Sequence, residues 1–471
     1  MGQAERMTDI AEQNDAITAP SLPTQHLGSL RQLIMLATPV LAEHVLHIAV
    51  GWNDTYLANH LPTHQAEAGA AVGTIQYIFW FFGLFASAIG VGSTALIARA
   101  TGARMRRTVN SICGQSILFA LIFGTILGAL LLIFSSPIAN VTRLQGLAHN
   151  YALQYLRVLS PSLPFLIVMF VANACLIGSG DTLTPATSMI VVDLVNITFS
   201  WGLTRGLWGL PKLGFSGIAI GTVIAYIVGG LLQFFVLYSG RGKIKLHAHR
   251  LRPHWVNMKR ILRIGLPSGI GDALNFLVNF VLIMVINQTD STSNSSAAHN
   301  IAIRVESISY MSGFAIAVAA TTMVGQALGE KNPQKAERTA YFAYAVGGSF
   351  MALMGIAFIF FGRYPAMLLA DEPVVRHLAT HCLFITGFCQ AGFAAAIIFG
   401  GALRGAGDTI SVMFLQLASI LTIRLGGVLI VGLWLHWGLA AIWVVLASEL
   451  VVRGALIYSR FAHGGWKSIK V

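Results

Sequence analysis

The chain has 471 residues, 55% of them hydrophobic and only 10% charged, with a formal net charge of +12. A water-soluble chain carries roughly 25% charged residues, so this one cannot cover a water-facing surface. Its cations sit mostly in a few loops between long apolar runs, which argues against nucleic acid as a partner and for a polytopic helical protein of the lipid bilayer.

Residues 1–30 are polar, with Glu5, Asp9, Glu12 and Asp15. They lack the basic stretch and apolar core of a cleaved signal peptide, and Arg6 breaks a myristoylation string that begins Met1-Gly2. They read as a disordered cytoplasmic tail. Twelve apolar spans follow, at about 32–58, 69–98, 111–138, 151–178, 184–206, 214–239, 259–287, 297–327, 338–362, 375–403, 409–433 and 436–460. The expected class is an all-α membrane protein of twelve transmembrane helices in two six-helix lobes. The N-lobe covers 31–239, a basic linker 240–258, the C-lobe 259–461 and a cytoplasmic tail 462–471. The cations cluster after even-numbered spans: Arg99, Arg104, Arg106 and Arg107; the linker group from Arg241 to Arg263; Lys331, Lys335 and Arg338; Arg460, Lys467 and Lys470. The bias places both termini in the cytoplasm and the spans in a cell membrane.

The chain repeats itself. Gly178-Ser-Gly-Asp-Thr182 matches Gly405-Ala-Gly-Asp-Thr409 at four of five positions, with 405 − 178 = 227. Ala88–Gly102 matches Ala315–Gly329 at six of 15 positions, with 315 − 88 = 227. Two matches at one offset mean two homologous halves, and a fused repeat in a membrane protein points first to a transporter. Pro39 and Pro267 fall at nearly matching places (267 − 39 = 228), and Pro161 and Pro164 lie in the fourth span, so helix kinks are expected at all four.

The acids inside the spans carry the chemistry, because a charge in hydrocarbon costs a few kcal/mol at least. They are Glu43, Asp54, Asp193, Asp272, Glu306 and Glu449. A carboxyl group withdrawn from water holds a proton more readily, and it can also coordinate Na⁺ or a cationic substrate. Packing pairs are the plainer alternative for Glu306, two residues from Arg304, and for Glu449, one turn from Arg453. Asp54 has no basic residue within a turn and is flanked by Asn53 and Thr55. The two glycine motifs, Gly178, Gly180, Asp181 and Gly405, Gly407, Asp408, fall at helix junctions, where glycine permits a sharp turn and each aspartate can cap the next helix. Phosphate binding is disfavoured there, since neither a Walker lysine nor a preceding strand is present. Cys113, Cys175, Cys382 and Cys389 lie in apolar runs and read as core residues, not as metal ligands or disulfides. Trp80, Phe81, Phe82, Tyr77 and Phe276 either line a cavity or face lipid and core.

These residues resemble the multidrug and toxic compound extrusion (MATE) family over nearly the whole chain after about residue 30. Asp54-Thr-Tyr-Leu-Ala58 resembles its first-span aspartate–threonine motif. Gly92–Gly102 and Ala319–Gly329 resemble its loop-entry motif in each lobe, and Gly178–Thr182 and Arg404–Thr409 its glycine–aspartate–threonine motif. The DinF-like bacterial branch is one place within the family where such a chain could fall. The resemblance implies alternating access and antiport of amphipathic, often cationic organic compounds against H⁺ or Na⁺, with no cofactor, no enzymatic activity and a monomer as the working unit. It puts cation coupling on Asp54, with Asn196 and Thr222 around it. Where the family often has an aspartate in the fifth span this chain has Ser200, and Asp193, one turn before Asn196, can substitute on the same face. The family's C-lobe sodium pattern is weaker here. Asn275 stands where some members have a glutamate, with Asp272 one turn earlier, and the tenth span has no acid. A C-lobe cavity would be formed around Asp272, Asn275 and Glu306, and protons are the better expectation for the coupling ion. The competing reading is a flippase for lipid-linked sugars of the same superfamily. An intramembrane enzyme is disfavoured by the lack of HExxH and GxSxG motifs.

Overall fold

The computed structural model describes residues 23–240, 244–247, 251, 253–289 and 293–469, the first seven as backbone only. Residues 1–22 of the expected tail, several linker residues and the last two residues of the chain lie outside these. Twelve helices are long and apolar enough to cross a membrane, and no strand occurs among the described residues. They run Leu30–Asn59, Gln65–Gly102, Arg106–Ile133, Gly146–Ser179, Leu183–Arg205 and Phe215–Ser239 in the first lobe, and Trp255–Thr289, Asn294–Gly329, Pro333–Phe361, Pro373–Ala406, Thr409–Trp434 and Gly438–Ala462 in the second.

Local chemistry sets many of the boundaries. The first helix is already formed at Pro23, where the described residues begin, inside the stretch expected to be a disordered tail. Asn332 caps the ninth span by accepting from the Lys335 backbone N–H at 2.9 Å, with Pro333 at the first turn. Pro161 sits in a 3₁₀ turn, Ser160–Ser162, that interrupts the fourth span, and Pro164 lies in the first turn of the α-helix that follows. Helix continues through Pro39 and Pro267. The described linker residues pack on the N-lobe: Ile244 and Leu246 are buried against it, and the His254 N–H donates to Gln115 Oε1 at 2.7 Å.

The glycine motifs end the fourth and tenth spans in the same way. Gly180 (φ 83°) and Gly407 (φ 88°) take the left-handed conformation that closes a helix. Gly178 and Gly405 lie so close to Thr94 and Thr321 that a Cβ would strike their carbonyls. Beside those contacts the Thr94 hydroxyl donates to the Ala174 carbonyl at 2.9 Å, and the Thr321 hydroxyl to that of Gly401 at 2.8 Å. The following aspartates differ. Asp181 accepts from the Thr184 backbone N–H at 3.1 Å, as expected of a cap, whereas Asp408 makes no cap and accepts from Arg460 at 2.8 Å. A guanidinium within reach out-competes a neutral N–H for a carboxylate.

The lobes meet along a seam at the end of the molecule where these motifs lie. Gly102 packs on Gln326 and Gly329 on Arg99, a pseudo-twofold pair, since 326 − 99 = 227. Gly92 approaches Ile261 and Gly265 approaches Ala88 backbone to backbone. Thr322 Oγ1 donates to the Ile177 carbonyl at 3.1 Å. Small residues allow this closeness, as they do wherever membrane helices cross tightly. Towards the opposite end each lobe has its own core, one built from Val50 to Tyr226 and the other from Leu282 to Trp443. The spans therefore close at one end and part at the other. Trp80 and Phe81 of the second span meet Phe276 of the seventh at ring distances of 5.0 and 5.9 Å, joining the lobes midway.

Gly265→Val would drive a side chain into the Ala88 carbonyl and wedge the seam apart. A cysteine placed at Thr322, fully buried in the native seam, should then react with a maleimide in the Gly265→Val background and stay protected without it.

Candidate functional site

Four spans of the N-lobe converge on Asp54, which is 3% exposed. Tyr155 Oη from the fourth span donates to its Oδ2 at 2.7 Å, and Thr222 Oγ1 from the sixth donates to the same oxygen at 2.6 Å. Asn196 Nδ2 from the fifth lies 3.4 Å from Oδ1, and also 3.0 Å from Thr222 Oγ1 and 3.3 Å from Ser200 Oγ. A second layer holds Asn196: Asn53 Nδ2 donates to its Oδ1 at 2.8 Å, and Trp201 Nε1 donates to Asn53 Oδ1 at 2.8 Å. A carboxylate in this setting is stable only because its oxygens take several hydrogen bonds. All of its donors are neutral, and among the described residues no cation pairs with it.

The expected residues Asp54, Asn196, Ser200 and Thr222 thus share one network. Asp193 stands beside it on the same helix face but is not joined: it is 7% exposed and neither carboxyl oxygen has a hydrogen-bond partner. Sequence reasoning missed Tyr155, Trp201 and the structural role of Asn53. A buried tyrosine hydroxyl must find a partner, but nothing in the sequence says that the partner is Asp54. A further chain lies lower on the first span, where Asn173 Nδ2 donates to Glu43 Oε1 at 2.6 Å and Gln233 Nε2 donates to Asn173 Oδ1 at 2.5 Å.

The C-lobe residues do not form one site. Asp272 lies beside Ser87 of the second span. Glu306 accepts from Thr386 Oγ1 at 2.6 Å and from Gln390 Nε2 at 3.2 Å. Its expected pairing with Arg304 does not form, because residues two apart point to opposite sides of a helix, and Arg304 is exposed. Asn275 Oδ1 lies 3.4 Å from Arg424 Nη1. Arg424 and Arg453 both hold Glu449, at 2.6 and 3.2 Å. The intramembrane acid of the C-lobe with ion pairs is therefore doubly compensated, while Glu43, Asp54 and Asp193 of the N-lobe have no salt-bridge partner among the described residues.

The MatE family model matches residues 39–201 and again 267–428. The chain belongs to the MatE family. The two matches begin 228 residues apart and end 227 apart (267 − 39 and 428 − 201), which is the spacing of the internal repeat. This member is 30% identical over 449 residues to "Probable multidrug resistance protein NorM" of Thermotoga maritima, with 95% of each chain covered. It is 26% identical over 443 residues to "Multidrug resistance protein MdtK" of Yersinia pseudotuberculosis, covering 93% of this chain and 96% of that one. The fold is shared with a MOP superfamily transporter from Pyrococcus furiosus (TM-score 0.84, 21% identity, 94% and 97% of the chains covered). It is shared equally with a MATE crystal structure in a bent conformation (TM-score 0.85, 21% identity, 93% and 96%). The protein is a multi-pass membrane transporter of this family and not an enzyme.

Tyr155→Phe and Thr222→Ala each remove a donor from Asp54 and should each cost about 1.5–3 kcal/mol, the range for hydrogen bonds to charged groups. Thermal unfolding in detergent will read this as a lower Tm. In an Asp54→Asn background the cost of Tyr155→Phe should shrink, which a double-mutant cycle measures directly.

Proposed function

We propose that this transporter is a multidrug exporter that exchanges amphipathic, mostly cationic organic compounds for protons, working as a monomer by alternating access. Coupling is carried by the N-lobe, residues 31–239, through Asp54, with Asn196, Ser200 and Thr222 as its immediate partners and Asp193 as a second acid on the same face. The C-lobe, residues 259–461, moves against it. Both termini and the linker face the cytoplasm, so the closed seam lies on the cytoplasmic side and the described state opens outward. The multidrug-resistance names of its relatives support the substrate class.

The observation that carries the reading is the set of neutral donors on Asp54. Each of those bonds is strongest while the carboxyl is charged. Protonation turns three charge-assisted bonds into ordinary ones, a loss of about 1 kcal/mol each. Some 3 kcal/mol in total is worth about two decades in a conformational equilibrium. A proton at Asp54 would therefore loosen the contacts that tie the first span to the fourth, fifth and sixth. A cationic drug stabilises the charged form and competes with that proton. Sodium coupling through the C-lobe has less support, since Glu449 is already held by two arginines and the tenth span offers Thr386 and Gln390 where an acid would be needed. The same arginines are engaged and so speak against an anionic lipid-pyrophosphate cavity.

The test is ethidium efflux in proteoliposomes under a pH gradient or a Na⁺ gradient imposed separately. Wild type should respond to the pH gradient alone, and Asp54→Asn should lose that response by about two orders of magnitude. Efflux driven by Na⁺ alone, or normal proton-driven efflux by Asp54→Asn, would sink the proposal.

A further inference from the structure

The lobes repeat the same packing but not the same polar residues. In the N-lobe the fifth and sixth spans meet through Asn196 and Thr222, 3.0 Å apart, with Tyr226 one turn further on. In the C-lobe the eleventh and twelfth spans meet through Arg424 and Glu449, 2.6 Å apart, with Arg453 one turn further on. Glu449 is the repeat counterpart of Thr222 (449 − 222 = 227), and Arg453 of Tyr226 (453 − 226 = 227). A neighbouring contact checks this register. Ser200 Oγ lies 3.5 Å from the Ile218 carbonyl, and their counterparts at the same offset, Gly427 and Val445, also face each other.

The counterpart of Asn196 at offset 227 is Ile423, not Arg424. The eleventh span is π-helical over Ile420–Leu425. Within this wider turn it is Arg424, not Ile423, that meets Glu449. The counterparts of Asp54 at offsets 227 and 228 are Val281 and Leu282, both apolar. The acid has left the seventh span and reappears on the twelfth, with a guanidinium on top of it. That guanidinium is well satisfied. Nη2 and Nε donate to Glu449 Oε2 at 2.6 and 3.2 Å, and Nη1 donates to Asn279 Oδ1 at 3.0 Å and to Asn275 Oδ1 at 3.4 Å. Arg424 is 8% exposed and Glu449 0%.

We propose that Arg424 is a built-in cation, filling in the C-lobe the place that an exchangeable cation takes beside Asp54 in the N-lobe. Beneath it lies a latent site for a planar guanidinium-type cation, made by the Glu449 carboxylate and the side-chain oxygens of Asn275 and Asn279. Tethering gives the resident group an effective concentration that a free ion cannot match, so this lobe keeps one charge state while the other cycles. The comparison with Asp54 rests on the proton-antiport reading, whereas the latent site stands on the C-lobe geometry alone.

Arg424→Ala, with wild type and Arg424→Lys alongside, is purified and reconstituted with millimolar methylguanidinium chloride or with KCl at the same concentration. Arg424→Ala should lose efflux by about tenfold or more, as expected when one partner of a buried ion pair is removed. Methylguanidinium should restore most of that loss and raise the Tm by several degrees, while KCl does neither and wild type is indifferent. Arg424→Lys, which keeps the charge, should retain more efflux than Arg424→Ala and respond less to the additive. Recovery of folded Arg424→Ala only in the presence of methylguanidinium also supports the site. Wild-type efflux by Arg424→Ala without additive would overturn it. So would a Tm and efflux that methylguanidinium does not move, a variant that never folds even with it, or a Lys variant as deficient and as rescuable as Ala. The Tm response does not depend on which gradient drives transport, so failure of proton antiport and failure of this site are told apart.

Discussion

A carboxylate inside a membrane protein persists only where donors replace the water it has lost, and the N-lobe is arranged around that requirement at Asp54. Tyr155, Asn196 and Thr222 come from three different spans, so one acid ties four helices together. None of these donors carries a charge. A guanidinium in their place would pin the carboxylate permanently, as Arg424 and Arg453 pin Glu449. Neutral donors leave the carboxylate without a counter-charge, the condition on which the proposed proton coupling rests, and they are the same bonds that hold the helices together.

The same scaffold supports both outcomes because its closest contacts are made by backbone and small residues. Gly178 on Thr94 and Gly405 on Thr321 set how the second and fourth, and the eighth and tenth, spans cross. Gly102 and Gly329 set how the lobes meet. These contacts depend on the absence of a side chain, so they survive in both halves while the polar residues above them diverge. Rigid lobes that touch through smooth glycine surfaces at one end and separate towards the other are suited to rocking about a seam. Aromatic contacts of Trp80 and Phe81 with Phe276 bridge the lobes midway along that path.

Membrane residence, the number of spans and the twofold repeat were all readable from the sequence by itself. Each depends on a property of consecutive residues: twenty apolar positions in a row, cations confined to certain loops, and Gly-x-Gly-Asp-Thr recurring 227 residues apart. The acids could be picked out for the same reason, since a charge in an apolar run is conspicuous wherever it points. Partners are another matter, because they come from other helices and depend on rotation about each axis. Sequence could propose Asn196 and Thr222 beside Asp54 through family resemblance, but not Tyr155, 101 residues away. It paired Glu306 with Arg304 by proximity along the chain, where helical geometry sends them to opposite sides and gives the acid to Thr386 and Gln390. It paired Glu449 with Arg453 correctly, because four residues make one helical turn, yet nothing along the chain joined Glu449 to Arg424, an intramembrane cation that the π-helical segment of another span presents to the same carboxylate. Spacing along one helix is decided locally, whereas contact between helices is decided by packing, and only the tertiary structure determined which acids meet neutral donors and which meet a guanidinium.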